Sequence, residues 1–177
     1  VKHFRLHREA VDIQPVLSEI LAHTIAWTEQ TGRQSRIRVE AETDGIPLRG
    51  LRHSKIMGRR RRDVHETRYT SLASCFPHTV ALLERFANEL GGNLGRAKFA
   101  RLPPGAHVLP HVDRGEYYEL RDRYHLVVDC QGTSMLQAGD EEISMSDGEL
   151  WWFDNKVIHS ARNESQRHRT HLIFDLR

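Results

Sequence analysis

Residues 97–113, AKFARLPPGAHVLPHVD, decide the fold of this chain. They predict two short strands, Ala97–Leu102 and His107–Asp113, separated by the turn residues Pro103-Pro104-Gly105. Short strands joined by tight turns, without an intervening helix, are typical of an all-β sandwich or barrel.

The same pattern of short strands and tight turns continues to the C-terminus. Further strands are predicted at Arg123–Asp129, Ser134–Gln137, Glu142–Met145, Leu150–Asp154, Val157–Ser160 and Arg169–Asp175. The turn signals between them are Gln131-Gly132, Ala138-Gly139-Asp140, Asp147-Gly148 and Asp154-Asn155. About eight short strands with regular turns predict a double-stranded β-helix core of the jelly-roll or cupin-like type.

Residues 1–92 read instead as helices and loops. Asp12 is a suitable cap for a first helix that stops at Gly32, and a second helix runs from Pro77 to Gly91-Gly92. The apolar positions assigned to the core are Val16, Leu17, Ile20, Leu21, Ile25 and Trp27 in the first helix and Val80, Leu83, Phe86, Ala87 and Leu90 in the second. We therefore expect a mainly β domain over residues 1–177, with a helical and loop part at 1–92 flanking a jelly-roll core at 93–177.

The segment Ser35–Leu72 lies between these helices and is long for a structureless loop. Such loops are often lids or binding segments, and Val39 with its neighbours could add a short strand. The run Arg59-Arg60-Arg61-Arg62 is either a solvated loop or a patch for an acidic substrate or polyanion. We expect this segment and the loop Arg114–Asp122 to line the mouth of a site.

Composition excludes several classes of protein. With 177 residues, 38 % hydrophobic and 28 % charged, the chain fits a soluble globular domain. A net charge of +2 is too small to imply a nucleic-acid partner, and no apolar run approaches the roughly 20 residues of a membrane span. Val1–Arg8 lacks the apolar core of a signal peptide, and Cys75 and Cys130 are the only cysteines, so we expect reduced thiols and a cytoplasmic location.

The pattern His111-Val112-Asp113, followed much later by His159 and Arg169, carries the chemistry. Side chains two residues apart on a strand share a face, so His111 and Asp113 can reach one metal ion. Two histidines and one carboxylate form a facial triad on non-haem Fe(II) that leaves positions open for a co-substrate and O2. The planar guanidinium of Arg169 can bind a carboxylate through two hydrogen bonds. The triad and this arginine together predict an iron oxygenase that consumes a 2-oxo acid.

Other polar residues on the predicted strands compete for these roles. Arg123 and His125 share a face of one strand, and Arg169, His171 and Asp175 share a face of the last. His107 and His171 are the alternative ligands. The sequence has an H-x-D pair first, then a histidine on a late strand, then an arginine on the strand after it. This order favours His111, Asp113 and His159 as ligands over His107 and His171.

At this point the chain resembles the aspartyl/asparaginyl β-hydroxylase family. The resemblance covers roughly Asn93–Arg177, with a fainter echo at Thr70–Leu90. The segments that carry it are Leu102-Pro103-Pro104-Gly105-Ala106-His107, Pro110-His111-Val112-Asp113, Arg123-Tyr124-His125-Leu126, Gly148-Glu149-Leu150-Trp151-Trp152-Phe153-Asp154, His159, Asn163 and Arg169. It implies a double-stranded β-helix that uses Fe(II) and 2-oxoglutarate.

The resemblance also implies roles for single residues. His111 and His159 match the histidine ligands, and Arg169 matches the arginine that pairs with the distal carboxylate of 2-oxoglutarate. His125 is expected near the co-substrate carboxylate, and Arg123 near the co-substrate or the substrate. These roles are expected from the resemblance to the family. The alternation of side chains along each strand shows only that these residues can face the same space.

Asp113 is a departure from the vertebrate protein-modifying members, which have glycine there. The full triad is found in bacterial members that act on free amino acids. The expected function is therefore hydroxylation of an unactivated C–H bond in an amino acid, an amino-acid-derived small molecule or a peptidyl side chain. The alternatives are a cupin-type metalloenzyme that does not use 2-oxoglutarate and a non-enzymatic anion-binding barrel.

Overall fold

The structure of the protein is a computed structural model that describes residues 2–28, 43–51, 65–130 and 134–177. Its helices are α1 (Gln14–Ala22), α2 (Pro77–Leu90) and the short α3 (Glu116–Glu119), with 3-10 turns at Thr24–Trp27 and Ser71–Cys75. Its strands are β1 (Phe4–Arg8), β2 (Asp44–Leu51), β3 (Thr67–Tyr69), β4 (Leu94–Leu102), β5 (His107–His111), β6 (Asp122–Asp129), β7 (Ser134–Ala138), β8 (Glu141–Ser144), β9 (Leu150–Phe153), β10 (His159–Asn163) and β11 (Arg169–Leu176). Val39, Arg59-Arg60-Arg61-Arg62 and Gln131-Gly132 lie outside the described residues.

The described strands form two antiparallel sheets. The larger has the order β1-β9-β6-β11-β4-β2-β3, and the smaller has the order β5-β10-β7-β8. Residues of both sheets share one apolar cluster, which includes Val127 of β6, Leu136 of β7 and Ala161 of β10. The expected mainly β fold with flanking helices is confirmed, and the space between the sheets is where the site lies.

Strand β11 shows how alternation divides the core from the site. Leu172, Phe174 and Leu176 belong to the apolar cluster that α1 and α2 cover, whereas Arg169 and His171 line the pocket between the sheets. Phe174 stacks on Phe86 of α2 at 5.9 Å between ring centroids and on Tyr124 of β6 at 5.3 Å. The helices thus fix one face of the larger sheet and leave the other to the pocket.

Three strand predictions need correction. Residues 1–92 contribute β1, β2 and β3 to the larger sheet, although they were expected to be helices and loops. The predicted strand Val157–Ser160 begins only at His159, because Asp154 accepts the Lys156 N–H at 3.1 Å and extends the preceding turn. The strand His107–Asp113 ends at His111, because the Asp113 N–H leaves the ladder and binds the Asn155 carbonyl.

The first helix is shorter than expected, and its apolar face is narrower. Asp12 Oδ1 accepts the Gln14 N–H at 3.1 Å, but the α-helix ends at Ala22 and continues as a 3-10 turn to Trp27. The tighter winding of that turn breaks the 3.6-residue periodicity. Ile25 in that turn is 69 % exposed, and Leu21, which lies within α1 but on a different side from the buried Val16, is 73 % exposed, so the assignment of both residues to the core is wrong. The predicted stop at Gly32 lies outside the described residues.

The second helix follows its prediction closely. It begins at Pro77 and ends before Gly91, which takes the left-handed conformation with φ of 72°. The Glu19 carboxylate from α1 accepts the Thr79 N–H and hydroxyl, at 3.0 and 2.6 Å, and so satisfies the N-terminus of α2. None of the helices among the described residues has the length and apolarity to cross a bilayer.

Candidate active site

Two neighbouring strands of the smaller sheet bring two histidines together. In the antiparallel pair β5–β10, His111 lies opposite His159, and their ring centroids are 4.2 Å apart. Each Nδ1–H donates to the carbonyl two residues earlier, Leu109 at 2.8 Å and Val157 at 2.9 Å. These bonds fix both tautomers and leave each Nε2 lone pair available as a ligand.

Asp113 joins the histidines from just beyond β5. Its Oδ1 is 3.9 Å from His111 Nε2, and ligand atoms of His111, Asp113 and His159 all lie within 4.8 Å of one another. Its Oδ2 accepts bonds from Arg123 Nη1 at 2.5 Å and from Asn155 Nδ2 at 3.1 Å. One carboxylate oxygen is therefore tethered while the other faces the histidines.

The charges of this cluster suit a divalent cation. Burial lowers the pKa of His159 to about 4, so its imidazole is neutral at physiological pH. Burial by itself would raise the pKa of Asp113, but the charges of Arg123 and His159 and the Asn155 hydrogen bond outweigh it and hold the pKa below its usual value. Two imidazoles and one carboxylate are a donor set that fits Fe(II).

The cluster opens into a pocket between the two sheets, of about 640 Å³ including its mouth. Its walls come from β4, β6, β9 and β11 on one side and from β5, β7 and β10 on the other. The polar and aromatic side chains that line it are Thr43, Lys98, His111, Arg123, His125, Phe153, His159, Ser160, Arg169 and His171. Two of the candidate metal ligands, His111 and His159, therefore share one cavity with several cationic side chains.

Arg169 supplies a buried cation in this pocket. Its side chain lies on β11, only 6 % of the residue is exposed, and its Nε donates to His171 Nε2 at 3.1 Å. Burial lowers its pKa to about 10, so it remains charged at neutral pH. Among the described residues, no carboxylate forms an ion pair with Arg169, and a buried cation in that situation favours an anionic ligand.

Two buried histidines connect Arg169 to the metal cluster. His171 Nδ1 lies 3.1 Å from His125 Nδ1, and the His125 ring packs edge-on against Phe153, which also contacts His159. Burial lowers the pKa of both His125 and His171 well below 6.5, and the charge of Arg169 lowers it further. Both ring nitrogens of His171 lie close to Arg169, with Nε2 accepting from Nε at 3.1 Å and Nδ1 lying 3.2 Å from Nη2, so His171 ties the position of His125 to that of Arg169.

Arg123 is already engaged by protein carboxylates. The resemblance placed it near the co-substrate or the substrate, whereas the structure places its guanidinium between Asp113 and Asp175. Burial by itself would lower the pKa of Arg123, but the charges of Asp113 and Asp175 outweigh this effect and raise the pKa well above its usual value. Arg123 lines the pocket, yet its nitrogen atoms face acceptors from the protein itself.

The alternative ligands and one predicted loop lie apart from the cluster. His107 is exposed, and His171 contacts Arg169 and His125 rather than the three residues that converge. Thr43 is the pocket-lining residue among the described part of 35–72, and the loop Arg114–Asp122 contributes none to the pocket lining. The expectation that this loop lines the mouth is not met, because Tyr117 and Tyr118 turn inward toward β4 and β11.

Sequence reasoning missed two residues of the site. Asn155 was read only as part of a turn signal, yet its side chain and its carbonyl both bind Asp113. Asp175 was placed on the correct face of β11 by parity, but its pairing with Arg123 has no local signal. Their partners lie 42 and 52 residues away in the sequence.

Comparison with known proteins places this geometry in a family. The family model for aspartyl/asparaginyl beta-hydroxylases matches residues 59–177, which contain His111, Asp113, His159, Arg169, His125 and Arg123. The chain belongs to the aspartyl/asparaginyl β-hydroxylase family. The expectation drawn from the resemblance is thus confirmed at the level of the family.

Curated members of this family match part of the chain. Aspartyl/asparaginyl beta-hydroxylase from Mus musculus is 29 % identical over 100 residues, 56 % of this chain. L-proline cis-4-hydroxylase from Rhizobium meliloti (strain 1021) is 33 % identical over 78 residues, 44 % of this chain. These matches span only 13 % and 28 % of the two relatives, respectively.

Solved structures share the fold across almost the whole chain. A prolyl hydroxylase in complex with a hypoxia inducible factor oxygen degradation domain peptide fragment from Trichoplax adhaerens has a TM-score of 0.63 at 10 % identity, covering 99 % of this chain and 84 % of that one. The viral collagen prolyl hydroxylase of Paramecium Bursaria Chlorella virus-1 has a TM-score of 0.58 at 9 % identity, covering 99 % and 95 %. The predicted jelly-roll core is confirmed.

Proposed function

We propose that this protein is an Fe(II)- and 2-oxoglutarate-dependent dioxygenase that hydroxylates an unactivated C–H bond of an amino acid, an amino-acid-derived small molecule or a peptidyl side chain. One observation carries the proposal. His111 and His159, whose ligand atoms converge with those of Asp113, line the same pocket as Arg169, a buried cation for which no ion pair with a carboxylate is found among the described residues.

Each side chain has a role in this proposal. Nε2 of His111, Nε2 of His159 and Oδ1 of Asp113 hold the metal ion, which when bound activates O2 with electrons taken from 2-oxoglutarate. The Arg169 fork binds the distal carboxylate of 2-oxoglutarate through two parallel hydrogen bonds. His125, neutral and buried beside His171, donates a ring N–H to the carboxylate at the other end of the co-substrate.

The walls of the pocket exclude water from this arrangement. Phe153 packs against both His125 and His159, at 4.9 and 5.2 Å between ring centroids. A dry wall strengthens the attraction between Arg169 and an anion and limits unproductive oxidation. With His125 and His171 neutral, the cationic side chains that line the pocket are Lys98, Arg123 and Arg169.

The substrate class follows from the triad and the relatives. The curated relatives are named for proline and for aspartyl or asparaginyl residues, all of them amino-acid substrates. Because Asp113 completes the triad, we favour a small amino-acid substrate over a folded protein domain.

A screen for turnover tests the proposal. Amino acids and short peptides are incubated with the protein, Fe(II), 2-oxoglutarate and O2, and succinate is measured with and without each candidate. We expect one class to stimulate succinate release in the parent and not in His159→Ala. Metal binding without any 2-oxoglutarate turnover would favour the cupin-type alternative, and absence of metal binding would favour the anion-binding barrel.

A further inference from the structure

Arg123 uses three of its five N–H groups on carboxylates of the protein itself. Its Nη1 donates to Asp113 Oδ2 at 2.5 Å, its Nε to Asp175 Oδ1 at 2.8 Å, and its Nη2 to Asp175 Oδ2 at 3.2 Å. The guanidinium also lies over the Tyr118 ring, 4.9 Å from its centroid. All three nitrogen atoms of the guanidinium are already bound to protein carboxylates, so a substrate carboxylate would have to share a nitrogen with Asp113 or Asp175.

The contact with Asp113 determines which oxygen that carboxylate offers to a metal. A carboxylate can rotate and present either oxygen or both. Here Arg123 and Asn155 hold Oδ2 from two directions, and the Asp113 N–H is bound to the Asn155 carbonyl at 3.2 Å. Oδ1 is therefore presented to the histidines as a single ligand atom, which leaves the remaining coordination positions free.

Asp175 holds Arg123 in turn. It is 1 % exposed, accepts two hydrogen bonds from Arg123, and accepts a third from Tyr117 Oη at 3.0 Å. Tyr117 Oη is itself fixed by the Arg96 N–H at 2.6 Å. Gly95 permits this approach, because a Cβ at that position would lie 2.4 Å from Tyr117 Oη.

We propose that Arg123 is a positioning residue for the metal ligand Asp113 and does not bind the co-substrate or the substrate, and that Asp175 and Tyr117 hold it in place. This inference rests on the proposed metal centre. It departs from the role that likeness to the family implied for Arg123. Outer groups that orient metal ligands typically change metal affinity by about 10- to 100-fold when they are removed.

The proposed series of contacts, from Tyr117 through Asp175 and Arg123 to Asp113, can be tested by measuring metal affinity, which does not require turnover. Mn(II) binding is measured by calorimetry for the parent, Arg123→Met, Asp175→Asn and Tyr117→Phe. We expect about 10- to 100-fold weaker binding for Arg123→Met and Asp175→Asn, and a smaller loss for Tyr117→Phe. Arg101→Met is the matched control, since Arg101 pairs with Asp44 at 2.7 Å outside the cluster and should bind Mn(II) as the parent does.

A double-mutant cycle separates positioning from general structural damage. If Arg123 acts through Asp113, Arg123→Met should have no effect on Mn(II) affinity in an Asp113→Gly background. At saturating metal, the KM for 2-oxoglutarate should change by less than about twofold in Arg123→Met. Asp175→Asn and Tyr117→Phe nearly preserve the shape of the side chain. These two variants therefore still test the series of contacts that holds Asp113 if circular dichroism shows that Arg123→Met folds poorly.

Two results would overturn the inference. One is parental Mn(II) affinity in Arg123→Met together with a KM for 2-oxoglutarate raised tenfold or more. The other is that Arg123→Met lowers Mn(II) affinity by the same factor in the Asp113→Gly background as in the parent. If the parent protein itself does not bind Mn(II), the proposed function fails as well, so the two failures are distinguishable.

Discussion

His111 and His159 occupy opposed positions in the register of β5 and β10, with ring centroids 4.2 Å apart. A single backbone ladder therefore fixes the separation of the two imidazoles, and a carbonyl two residues upstream fixes the orientation of each ring. Both histidines lie on strands, and Asp113, which follows β5 by two residues, is held by Asn155 and Arg123, which keeps the geometry of the site close to one arrangement before any ligand binds.

Removal of either histidine should abolish metal binding while the fold persists. Each imidazole is one of three protein donors, so His111→Ala and His159→Ala should weaken Fe(II) or Mn(II) binding by more than about 100-fold. Calorimetric titration measures the affinity, and circular dichroism checks the fold. His107→Ala, an exposed histidine at the other end of β5, is the matched control. Parental affinity in either site variant would remove that residue from the ligand set.

Arg169 should determine the affinity for 2-oxoglutarate. A charged hydrogen bond contributes about 1.5–3 kcal/mol, so Arg169→Ala should raise the KM for 2-oxoglutarate tenfold or more. Arg169→Lys should restore only part of the loss, because an ammonium cannot form the two parallel bonds of the fork. Arg167→Ala, whose side chain is 63 % exposed just before β11, serves as the control. An unchanged KM in Arg169→Ala would remove the main reason for naming this co-substrate.

The buried histidines predict that the metal-free protein loses stability in mild acid. Burial lowers the pKa of His159 to about 4 and that of His125 and His171 well below 6.5. In the unfolded chain these groups take up protons as the pH falls through about 6.5, while the folded protein does not. The unfolded state then binds more protons, so the free energy of unfolding falls as the pH falls.

Urea denaturation in the presence of a chelator measures this effect. Between pH 6 and pH 5, each of the three histidines should lower the free energy of unfolding by about 1 kcal/mol. His171→Gln should remove one of these contributions and give a shallower dependence on pH. Identical slopes for the parent and His171→Gln would show that His171 is not held neutral in the folded state.

The sequence predicted the parts of the fold that depend on local signals. Alternation placed Arg169 and His171 on one face of β11 and Leu172 and Phe174 on the other, as the structure has them. Gly91 marked the end of α2 through its left-handed conformation. These features follow from neighbouring residues, so periodicity and turn residues suffice to find them.

Features that depend on distant partners were not predictable in this way. β1 became a strand because Phe4 pairs with Phe153 of β9, which lies at the far end of the chain. The bond from Asn155 to Asp113 likewise needs the turn after β9 to meet the end of β5. His111, Asp113 and His159 could be grouped only because ligand chemistry, rather than local propensity, links their residue types.

Asp113→Gly tests whether the carboxylate is a metal ligand. The variant removes Oδ1 from the cluster and also removes the acceptor of Arg123 Nη1. If Asp113 binds the metal, Fe(II) affinity should fall by about 10-fold or more, and most 2-oxoglutarate-dependent succinate release should be lost. The vacated position should then accept azide, whose binding is detected by spectroscopy of the Co(II)-substituted protein, whereas the parent should not bind it there. Near-equal Fe(II) affinity and succinate release in parent and variant would mean that two histidines suffice, and the argument from the triad to a small amino-acid substrate would fail with it.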